Sequence, residues 1–397
     1  MNFPGPPGPT QVSRPDYPSF IPQASVKGKN QAKNGPREGE AGHAMKAIVL
    51  PKYGPPDVLQ LKDVEKPAPK DNEVLIRVHA ASVTTGDCEF RSLKLPLAWR
   101  LLFRVGFGIR RPRKKIPGQE LAGVIESVGN AVRSYKKDDQ VFAATGLGLS
   151  AWAEYCCLPE KGLIAMKPSN MTYEEAAVVP VGGLHALHLF RKADIQRGQK
   201  VLVIGAGGTV GTIAVQLAKS FGAEVTCVDS ARKLDMLRTI GADHVIDYTR
   251  EDFSKNGEKY DVILDVVGKS SFSACIRSLN KKGFLLLGNP GLSQQLRGMW
   301  TSIRTSKKVT GGMISYKTED LVFLKELIEA GKIKSVIDRR YPLEQVAEAN
   351  RYVESGQKTG NVVITVQSWH PSCTSGRSRE WLDEDFRGDI VDKYGDR

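Results

Sequence analysis

The sequence has few cysteines, and they follow no organised spacing. Six are present among 397 residues, and no two of them form a C-x-x-C motif. Zinc sites and disulfide frameworks both depend on regular cysteine spacing, so neither is predicted. Scattered cysteines of this kind indicate reduced thiols in a cytosolic protein, and we therefore expect a cytoplasmic location.

Long apolar runs and a secretory leader are also missing. No run reaches the roughly 18 apolar residues of a membrane-spanning helix. The start of the chain has no basic segment followed by an apolar one, so no signal peptide is expected. Hydrophobic residues make up 41% of the chain and charged residues 25%, which is typical of a soluble globular protein.

Acidic residues are outnumbered, which leaves a formal net charge of +13. Nine basic residues and no acidic one fall between Arg91 and Lys115. The apolar residues interleaved with them are Leu93, Leu95, Leu97, Trp99, Leu101, Leu102, Phe103, Phe107 and Ile109. Three interpretations of this segment stay open: a surface excursion packed on the fold, a lid over a hydrophobic substrate, and contact with an anionic membrane surface. Without an evident aromatic stacking platform, nucleic acid is not expected as a partner.

The two ends of the chain differ from its middle. Residues 1–44 are rich in proline, glycine and polar residues and predict a disordered extension, while residues 367–397 predict a polar tail. Residues 45–171 carry short apolar runs between turn residues, which indicate a small β-barrel. The predicted strands there are 45–50, 74–78, 121–125 and 141–143.

Residues 172–309 alternate between apolar runs and helical periodicity, beginning at Thr172, a predicted helix cap. This alternation predicts an α/β fold with a doubly wound parallel sheet. The predicted strands are 200–204, 224–228, 244–246, 261–266 and 284–287, and the predicted helices are 210–221, 233–240 and 272–279. Residues 310–366 add predicted helices at 319–330 and 343–354 and a strand at 361–366.

A glycine-rich turn joins the first of these strands to the first helix. Glycines at this place let the backbone approach a pyrophosphate, and the N–H groups of the following helix face the anion. The turn therefore predicts a nicotinamide dinucleotide site. Its predicted cofactor-binding residues are Gly205, Gly207, Gly208, Thr209, Val210 and Gly211.

The residues after the second strand give conflicting indications about the cofactor. Asp229 lies 18 residues after Gly211, where a carboxylate binds the ribose hydroxyls of NAD and repels the 2′-phosphate of NADP. Ser230, Arg232 and Lys233 follow at once, and their side chains suit a 2′-phosphate. We expect NADPH, with NADH as the alternative.

Further motifs accompany the glycine turn. They are ASVTTGD at 81–87, PGQELAG at 117–123, PVGGL at 180–184, Gln216 and Lys219 behind the turn, and GADHVIDY at 241–248. Together they resemble the medium-chain dehydrogenase/reductase superfamily, in its zinc-independent, zeta-crystallin-like quinone oxidoreductase branch. The resemblance runs from about residue 45 to 366. It implies a GroES-like catalytic domain built from 45–171 and 310–366, around a Rossmann domain at 172–309.

The resemblance also implies further cofactor contacts. They are Tyr248, Val267, Gly268, Gly288, Asn289 and Asn361. Four of them follow predicted strands, and ligands of parallel sheets bind at the carboxyl ends of strands. The chain departs from the family pattern at three positions: Thr209 stands where a glycine is usual, His185 where a threonine is usual, and Thr84 where an asparagine is usual.

The predicted chemistry depends on the positions at which zinc-containing members of this superfamily bind their metal. Thr84, Gln119 and Val181 occupy them here and form no plausible zinc ligand set. No cysteine lies between 132 and 152, where a structural zinc loop would need four. Without zinc there is no strong Lewis acid to polarise a carbonyl, so the sequence predicts reduction of an acceptor that is already electrophilic. The predicted hydrogen-bond donors to that acceptor are Thr84, Thr85 and Tyr316.

The predicted function is therefore zinc-independent hydride transfer from NAD(P)H to a quinone, an enone or a related conjugated carbonyl compound. The alternatives are an alcohol/aldehyde oxidoreductase, an enoyl-thioester reductase and, in another class, a nucleotide-binding interaction protein without turnover. The expected partners are a small hydrophobic substrate and, by resemblance, a second copy of the chain.

Overall fold

A computed structural model describes residues 44–93, 115–311 and 316–366, together with 104, 106, 108 and 111–113. The predicted extension before residue 44, the tail after residue 366 and most of the basic segment 91–115 lie outside the described residues. The strands are β1 (Ala44–Val49), β2 (Gln60–Glu65), β3 (Glu73–Val83), β4 (Glu120–Val128), β5 (Gln140–Ala144), β6 (Tyr155–Pro159), β7 (Leu163–Met166), β8 (Lys200–Ile204), β9 (Glu224–Asp229), β10 (His244–Asp247), β11 (Tyr260–Asp265), β12 (Leu279–Leu287), β13 (Lys308–Gly311), β14 (Ile337–Pro342) and β15 (Asn361–Thr365).

Helices occur in both parts of the fold. They are α1 (Thr85–Ser92), α2 (Tyr173–Ala177), α3 (Pro180–Ala193), α4 (Thr209–Ser220), α5 (Leu234–Thr239), α6 (Phe272–Ser278), α7 (Leu292–Arg304), α8 (Thr318–Glu329) and α9 (Val346–Glu354). Helix α2 begins at the predicted cap, because the Thr172 hydroxyl accepts the backbone N–H of Glu175 at 3.2 Å. Across the described residues, no helix combines the length and the apolar character that crossing a membrane requires.

The predicted doubly wound sheet is confirmed. Six parallel strands stand in the order β10-β9-β8-β11-β12-β13, which is the order of a Rossmann fold. Strand β8 begins and ends where the sequence predicts, and its residues Val201, Leu202 and Val203 are fully buried. The strand order reverses between β8 and β11, so their carboxyl ends border the crevice where such sheets bind ligands.

The remaining strands form the GroES-like part, also confirmed. Its main sheet has the order β14-β15-β3-β4-β5-β7, with β6 on β3, while β1 and β2 form a separate hairpin. Strand β15 pairs antiparallel with β3, where Val362 lies opposite Val83. A strand from the last described part of the chain therefore belongs to the same sheet as strands from the first described part. The core of this part includes Ile76, Leu121 and Trp152, all fully buried.

Arg91, the first residue of the basic segment, is not a solvated charge. It is fully buried, and its guanidinium pairs with Glu354, donates to the Gly54 carbonyl, and donates from Nε to Asn350 Oδ1 at 3.2 Å. Arg91 therefore takes no part in a lid or a membrane contact formed by this segment. Its side chain joins α1 to α9 and to the loop at Gly54.

Helix α7 exposes an apolar face beside β13, the edge strand of the parallel sheet. Leu296, Met299, Trp300 and Ile303 are each more than half exposed. An exposed apolar face next to an edge strand is typical of a contact with another chain. The predicted homodimer stays a prediction.

Candidate functional site

The glycine turn between β8 and α4 needs glycine for two different reasons. Gly205 has a φ of +79°, a conformation that favours glycine. A Cβ atom on Gly211 would lie 2.4 Å from the Gly205 carbonyl oxygen and 2.5 Å from that of Ala206. A Cβ atom on Gly208 would meet only the Gly205 oxygen, at 3.7 Å. The turn is thus closely packed on its inner side and open at Gly208, where an anion can approach the start of α4.

Asp229 at the end of β9 holds this turn in place. Its Oδ2 accepts the Gly207 N–H at 2.8 Å, its Oδ1 accepts the Ser230 N–H at 2.8 Å, and Lys233 Nζ lies 3.2 Å from Oδ1. The side chain is 8% exposed. The prediction that Asp229 binds ribose hydroxyls and repels a 2′-phosphate stays a prediction, and its charge is already paired with Lys233 in the cofactor-free protein. Lys233 is equally committed as a partner of Asp229.

Two other predicted contacts in this region are accessible. Arg232 is exposed and makes no ion pair within the described ranges, and Tyr248, just after β10, is 63% exposed. Ser230 lies between Asp229 and Arg232 and is half-buried. The Ser230 hydroxyl donates to Asp229 Oδ1 at 3.4 Å, so Arg232 and Tyr248 are the two side chains here that remain available to an adenosine ribose and its 2′-phosphate.

The predicted contacts after β11 and β12 lie at the same edge of the sheet. The N–H groups of Val267 and Gly268 donate to Asp265 Oδ1 at 3.1 and 2.8 Å, which fixes the turn after β11. The Gly288 carbonyl lies 3.1 Å from the Nε2 of His185 on α3, and Asn289 is exposed. Parallel strands thus bring together the predicted cofactor residues of β8 to β12. Their binding of a cofactor stays a prediction.

His185 is a neutral group at pH 7. Burial lowers its pKa to about 4, a larger effect than the opposing hydrogen bond to Gly288. A neutral imidazole can donate from only one ring nitrogen. Since Nε2 faces a carbonyl, we assign its proton to Nε2. His185 therefore connects α3 to the end of β12 without adding charge to the site.

Thr84 caps α1 and is not a free donor. Its hydroxyl donates to Asp87 Oδ2 at 2.7 Å and accepts the Asp87 N–H at 3.1 Å, while its own N–H donates to Asp87 Oδ2. This capping box corrects the prediction that Thr84 donates to an acceptor, since the proton is already used. Thr85 follows it in the first turn of α1, with its side chain exposed. Asp87 is buried, and burial raises its pKa to about 6.

Glu120 is a functional candidate that the sequence reasoning missed. It is fully buried at the start of β4, accepts the Ser82 hydroxyl at Oε1, and accepts the Val181 N–H at Oε2 at 2.7 Å. Burial raises its pKa to about 7, although both hydrogen bonds oppose the rise. Its only signal in the sequence was its place beside Gln119. Glu120 ties the barrel to the start of α3 and carries a proton in part of the molecules at neutral pH.

Tyr316, another predicted donor, lies close enough to Glu120 for the charge of that carboxylate to act on its hydroxyl. Burial, together with the negative charge of Glu120, raises the pKa of its hydroxyl to about 12. The phenol is therefore protonated at pH 7 and can donate a hydrogen bond to an oxygen that becomes negative. Tyr316 is partly buried and packs against the hydrophobic core cluster that includes Val179 and Leu184.

The turn before β15 reaches the glycine turn. Lys358 Nζ donates to Thr209 Oγ1 at 2.6 Å, and the Gly360 N–H donates to the Gly207 carbonyl at 2.8 Å. Asn361, a predicted contact, is 2% exposed and donates from Nδ2 to the Val336 carbonyl at 3.0 Å. Lys358 was not predicted, since a lysine in a glycine-containing turn is normally a solvated charge.

The residues at the former metal positions do not fit zinc. The Thr84 hydroxyl is engaged with Asp87, and Val181 has no side-chain donor atom, so Gln119 would be alone. Within the described ranges, no group of three or more His, Cys, Asp or Glu side chains could hold a metal ion. The zinc independence of the reaction stays a prediction.

Comparison with known proteins agrees with this architecture. Residues 70–168 match the family described as alcohol dehydrogenase GroES-like domain, 240–364 match zinc-binding dehydrogenase, and 191–269 match alanine dehydrogenase/PNT, C-terminal domain. The chain is 34% identical to the 2-methylene-furan-3-one reductase of Solanum lycopersicum, over 81% of this chain and 79% of that protein. It is 31% identical to the chloroplastic NADPH-dependent alkenal/one oxidoreductase of Arabidopsis thaliana, over 86% and 84%.

A solved structure extends the comparison to the whole fold. The quinone oxidoreductase from Coxiella burnetii superimposes with a TM-score of 0.73 at 28% identity, over 82% of this chain and 100% of that one. The expected cytoplasmic location is contradicted, because several relatives are named as chloroplastic or mitochondrial proteins. The expectation rested on free thiols, which indicate a reducing compartment rather than an oxidising one. Free thiols do not distinguish the cytoplasm from the reducing interior of an organelle.

Proposed function

Because the chain belongs to the medium-chain dehydrogenase/reductase superfamily, in its quinone-reductase-like branch, we propose that it reduces conjugated carbonyl compounds with NAD(P)H. The relatives are named for a methylene-furanone, for alkenals and enones, and for quinones. All of these acceptors carry a carbonyl conjugated to a carbon–carbon double bond. Such a compound accepts a hydride at carbon and places the resulting charge on oxygen.

The observation that carries this proposal is the open face of the glycine turn. It lies at the carboxyl end of β8, beside the point where the strand order reverses, and Gly208 leaves space above the start of α4. Backbone N–H groups and a helix N-terminus at such a place suit a pyrophosphate. When bound, the reduced nicotinamide supplies the hydride.

The chain's own residues position the acceptor and stabilise the charge that develops on it. The Tyr316 hydroxyl, protonated at pH 7, is the proposed donor to the enolate or hydroquinone oxygen. Glu120 lies near enough to influence Tyr316 and is the proposed source of a replacement proton. Thr85 is a second hydroxyl at this side of the site. Donors of this kind suffice for an acceptor that needs no metal to polarise it, and we propose a zinc-independent reaction.

We propose NADPH as the preferred cofactor. The negative charge that would repel a 2′-phosphate is paired inside the protein, between Asp229 and Lys233. Arg232 lies exposed next to it and makes no ion pair with any described residue, and a guanidinium binds a phosphate through two parallel hydrogen bonds. The engagement of Asp229 therefore supports NADPH over NADH.

Replacing Arg232 by alanine tests this preference. We expect kcat/KM with NADPH to fall roughly tenfold to a hundredfold, because a charge-assisted hydrogen bond is lost, and kcat/KM with NADH to stay unchanged. Arg238→Ala is the matched control, since Arg238 is also exposed nearby but pairs with Asp235 within α5. Equal losses with both cofactors would remove Arg232 as the 2′-phosphate ligand.

The reaction itself is tested with paired acceptors. Purified full-length protein is given NADPH or NADH with a quinone, an alkenal, or the saturated aldehyde of the same length, and the reduced-cofactor absorbance is followed. We expect turnover of the quinone and the alkenal only, and a lower kcat in Tyr316→Phe. Turnover of the saturated aldehyde would favour an alcohol/aldehyde oxidoreductase. Tight cofactor binding without any oxidation would make the chain a nucleotide-binding protein and overturn the proposal.

A further inference from the structure

Lys358 is a buried cation at the glycine turn. It lies between α9 and β15, in the GroES-like part, and only 7% of it is exposed. Its ammonium group donates to Thr209 Oγ1 at 2.6 Å and to the Gly360 carbonyl at 2.8 Å. An ammonium has three protons, so one remains for another acceptor. Thr209 is the first residue of α4, so the ammonium group lies at the start of the helix that follows the glycine turn.

No carboxylate neutralises this charge at close range. Within the described part of the chain, Lys358 has no ion pair shorter than 4 Å, in contrast to Lys233, which pairs with Asp229. Glu120, Asp338 and the Cys88 thiol act on it from farther away, whereas Lys233 repels it. Burial is the largest influence and lowers its pKa to about 8. The positive end of α4 adds to the same potential. A cation desolvated in this way is costly unless an anion joins it.

Thr209 explains how the ammonium is held. A Cβ atom on Gly182 would lie 2.7 Å from the Thr209 carbonyl oxygen and 3.0 Å from Thr209 Cγ2, so α3 packs closely on this residue. Its methyl group is thus packed against α3 while its hydroxyl accepts Lys358. The Gly360–Gly207 hydrogen bond fixes the same two turns to each other. A glycine at position 209, as the family pattern has it, would provide neither contact.

We propose that Lys358 binds the pyrophosphate of the dinucleotide and that Thr209 positions its ammonium group for this contact. The inference rests on the proposed function, because it assumes that a dinucleotide occupies the turn. The two phosphate-binding cations then come from different parts of the chain. Arg232 of the Rossmann domain binds the 2′-phosphate, and Lys358 of the GroES-like part binds the pyrophosphate.

Two probes separate these cations by calorimetric titration of the full-length protein. ADP-ribose carries the pyrophosphate without a 2′-phosphate, and 2′-AMP carries the 2′-phosphate without a pyrophosphate. For Lys358→Met we expect the Kd of ADP-ribose to rise roughly tenfold to a hundredfold, as for the loss of a charged hydrogen bond, with the Kd of 2′-AMP unchanged. Arg232→Ala should give the opposite pattern.

Two further variants test positioning and stability. Thr209→Val keeps the packing and removes the hydroxyl, so it should weaken ADP-ribose less than Lys358→Met does. Combined with Lys358→Met it should add no further loss, since the two residues act together. Lys167→Met is the matched control, because Lys167, like Lys358, donates two hydrogen bonds to uncharged oxygens, here the carbonyls of Pro168 and Met171, away from the turn. It should leave both Kd values unchanged.

The outcomes distinguish this inference from the proposed function. If the unaltered protein binds neither ADP-ribose nor NADPH, the proposed function itself fails. If it binds both and Lys358→Met leaves the Kd of ADP-ribose unchanged, the role of Lys358 is overturned alone. A structural role would instead weaken both probes equally and lower the Tm of the cofactor-free protein below that of the Lys167→Met control, which also overturns the inference.

Discussion

Alanine at Gly211 is expected to destabilise the protein and to weaken cofactor binding, whereas alanine at Gly208 should impair cofactor binding alone. The reason is steric. The new methyl group at Gly211 would lie 2.4 and 2.5 Å from two backbone oxygens of the same turn, so the backbone must move. Overpacking of this kind costs about 1 to 3 kcal/mol or more. A displaced turn should also weaken NADPH binding, because the backbone N–H groups that face the pyrophosphate move with it.

Gly208 is the matched comparison within the same turn. Its φ is −104°, which any residue adopts, and an added Cβ atom meets nothing closer than 3.7 Å. The free energy of unfolding of cofactor-free Gly208→Ala should therefore equal or slightly exceed that of the unaltered protein. The added methyl group occupies the space through which a pyrophosphate approaches, so NADPH affinity should still fall.

Urea unfolding of the cofactor-free proteins and titration with NADPH check both statements. Unchanged NADPH affinity in Gly208→Ala would show that the open face of the turn is not the pyrophosphate site. Equal stability of the two variants would contradict the steric account of Gly211.

Removing Arg91 should cause the largest loss of stability in the GroES-like part. Its guanidinium is fully buried, and alanine would leave Glu354, the Gly54 carbonyl and Asn350 Oδ1 without this donor. Deleting one partner of a fully buried ion pair costs about 3 to 5 kcal/mol, and the 26% exposure of the Glu354 side chain places the expected loss towards the lower end of that range. We expect Arg91→Ala to lower the urea midpoint by a corresponding amount with an unchanged m-value.

Arg351→Ala is the control for Arg91, because it joins the same two segments at the surface. Arg351 on α9 pairs with Asp57 in the loop after Gly54, and the two side chains are 51% and 69% exposed. Exposed ion pairs contribute about 0 to 1 kcal/mol. If both variants lost equal stability, burial would not be what makes Arg91 important.

The sequence predicted those features that depend on local patterns. Strand β8 is an unbroken apolar run, and the Thr172 cap is followed by Glu175 at the spacing of a capping box. Helix α3 was not predicted, because Gly182 and Gly183 are poor helix formers. The structure explains them by close packing: a Cβ atom on Gly182 would meet Thr209, and one on Gly183 would lie 2.7 Å from Leu324 Cδ1.

The candidate site was likewise predictable only where its residues follow from local sequence patterns. The residues after the parallel strands followed from the position of the strands, since carboxyl ends share an edge. Glu120 and Lys358 did not, because their character comes from burial among residues distant in the chain. The Thr84 hydroxyl shows the converse: the sequence predicted a role for it, but not the hydrogen bond that it makes with Asp87. Its position in a family motif indicated a donor, while the nearby Asp87 had already engaged its proton.

The pairing of β15 with β3 has a consequence for how the molecule is made. Val362 and Val83 are neighbours in the sheet although 279 residues of chain separate them. The contiguous parallel strands β8 to β13 leave the ribosome long before β15 does, so they are free to collapse first. Until β15 has been synthesised, the edge of β3 that pairs with it stays unpaired. Pairing the two strands then requires closing the long loop of chain between them, which is slow. During synthesis, that edge is the part of the chain most in need of protection from other chains.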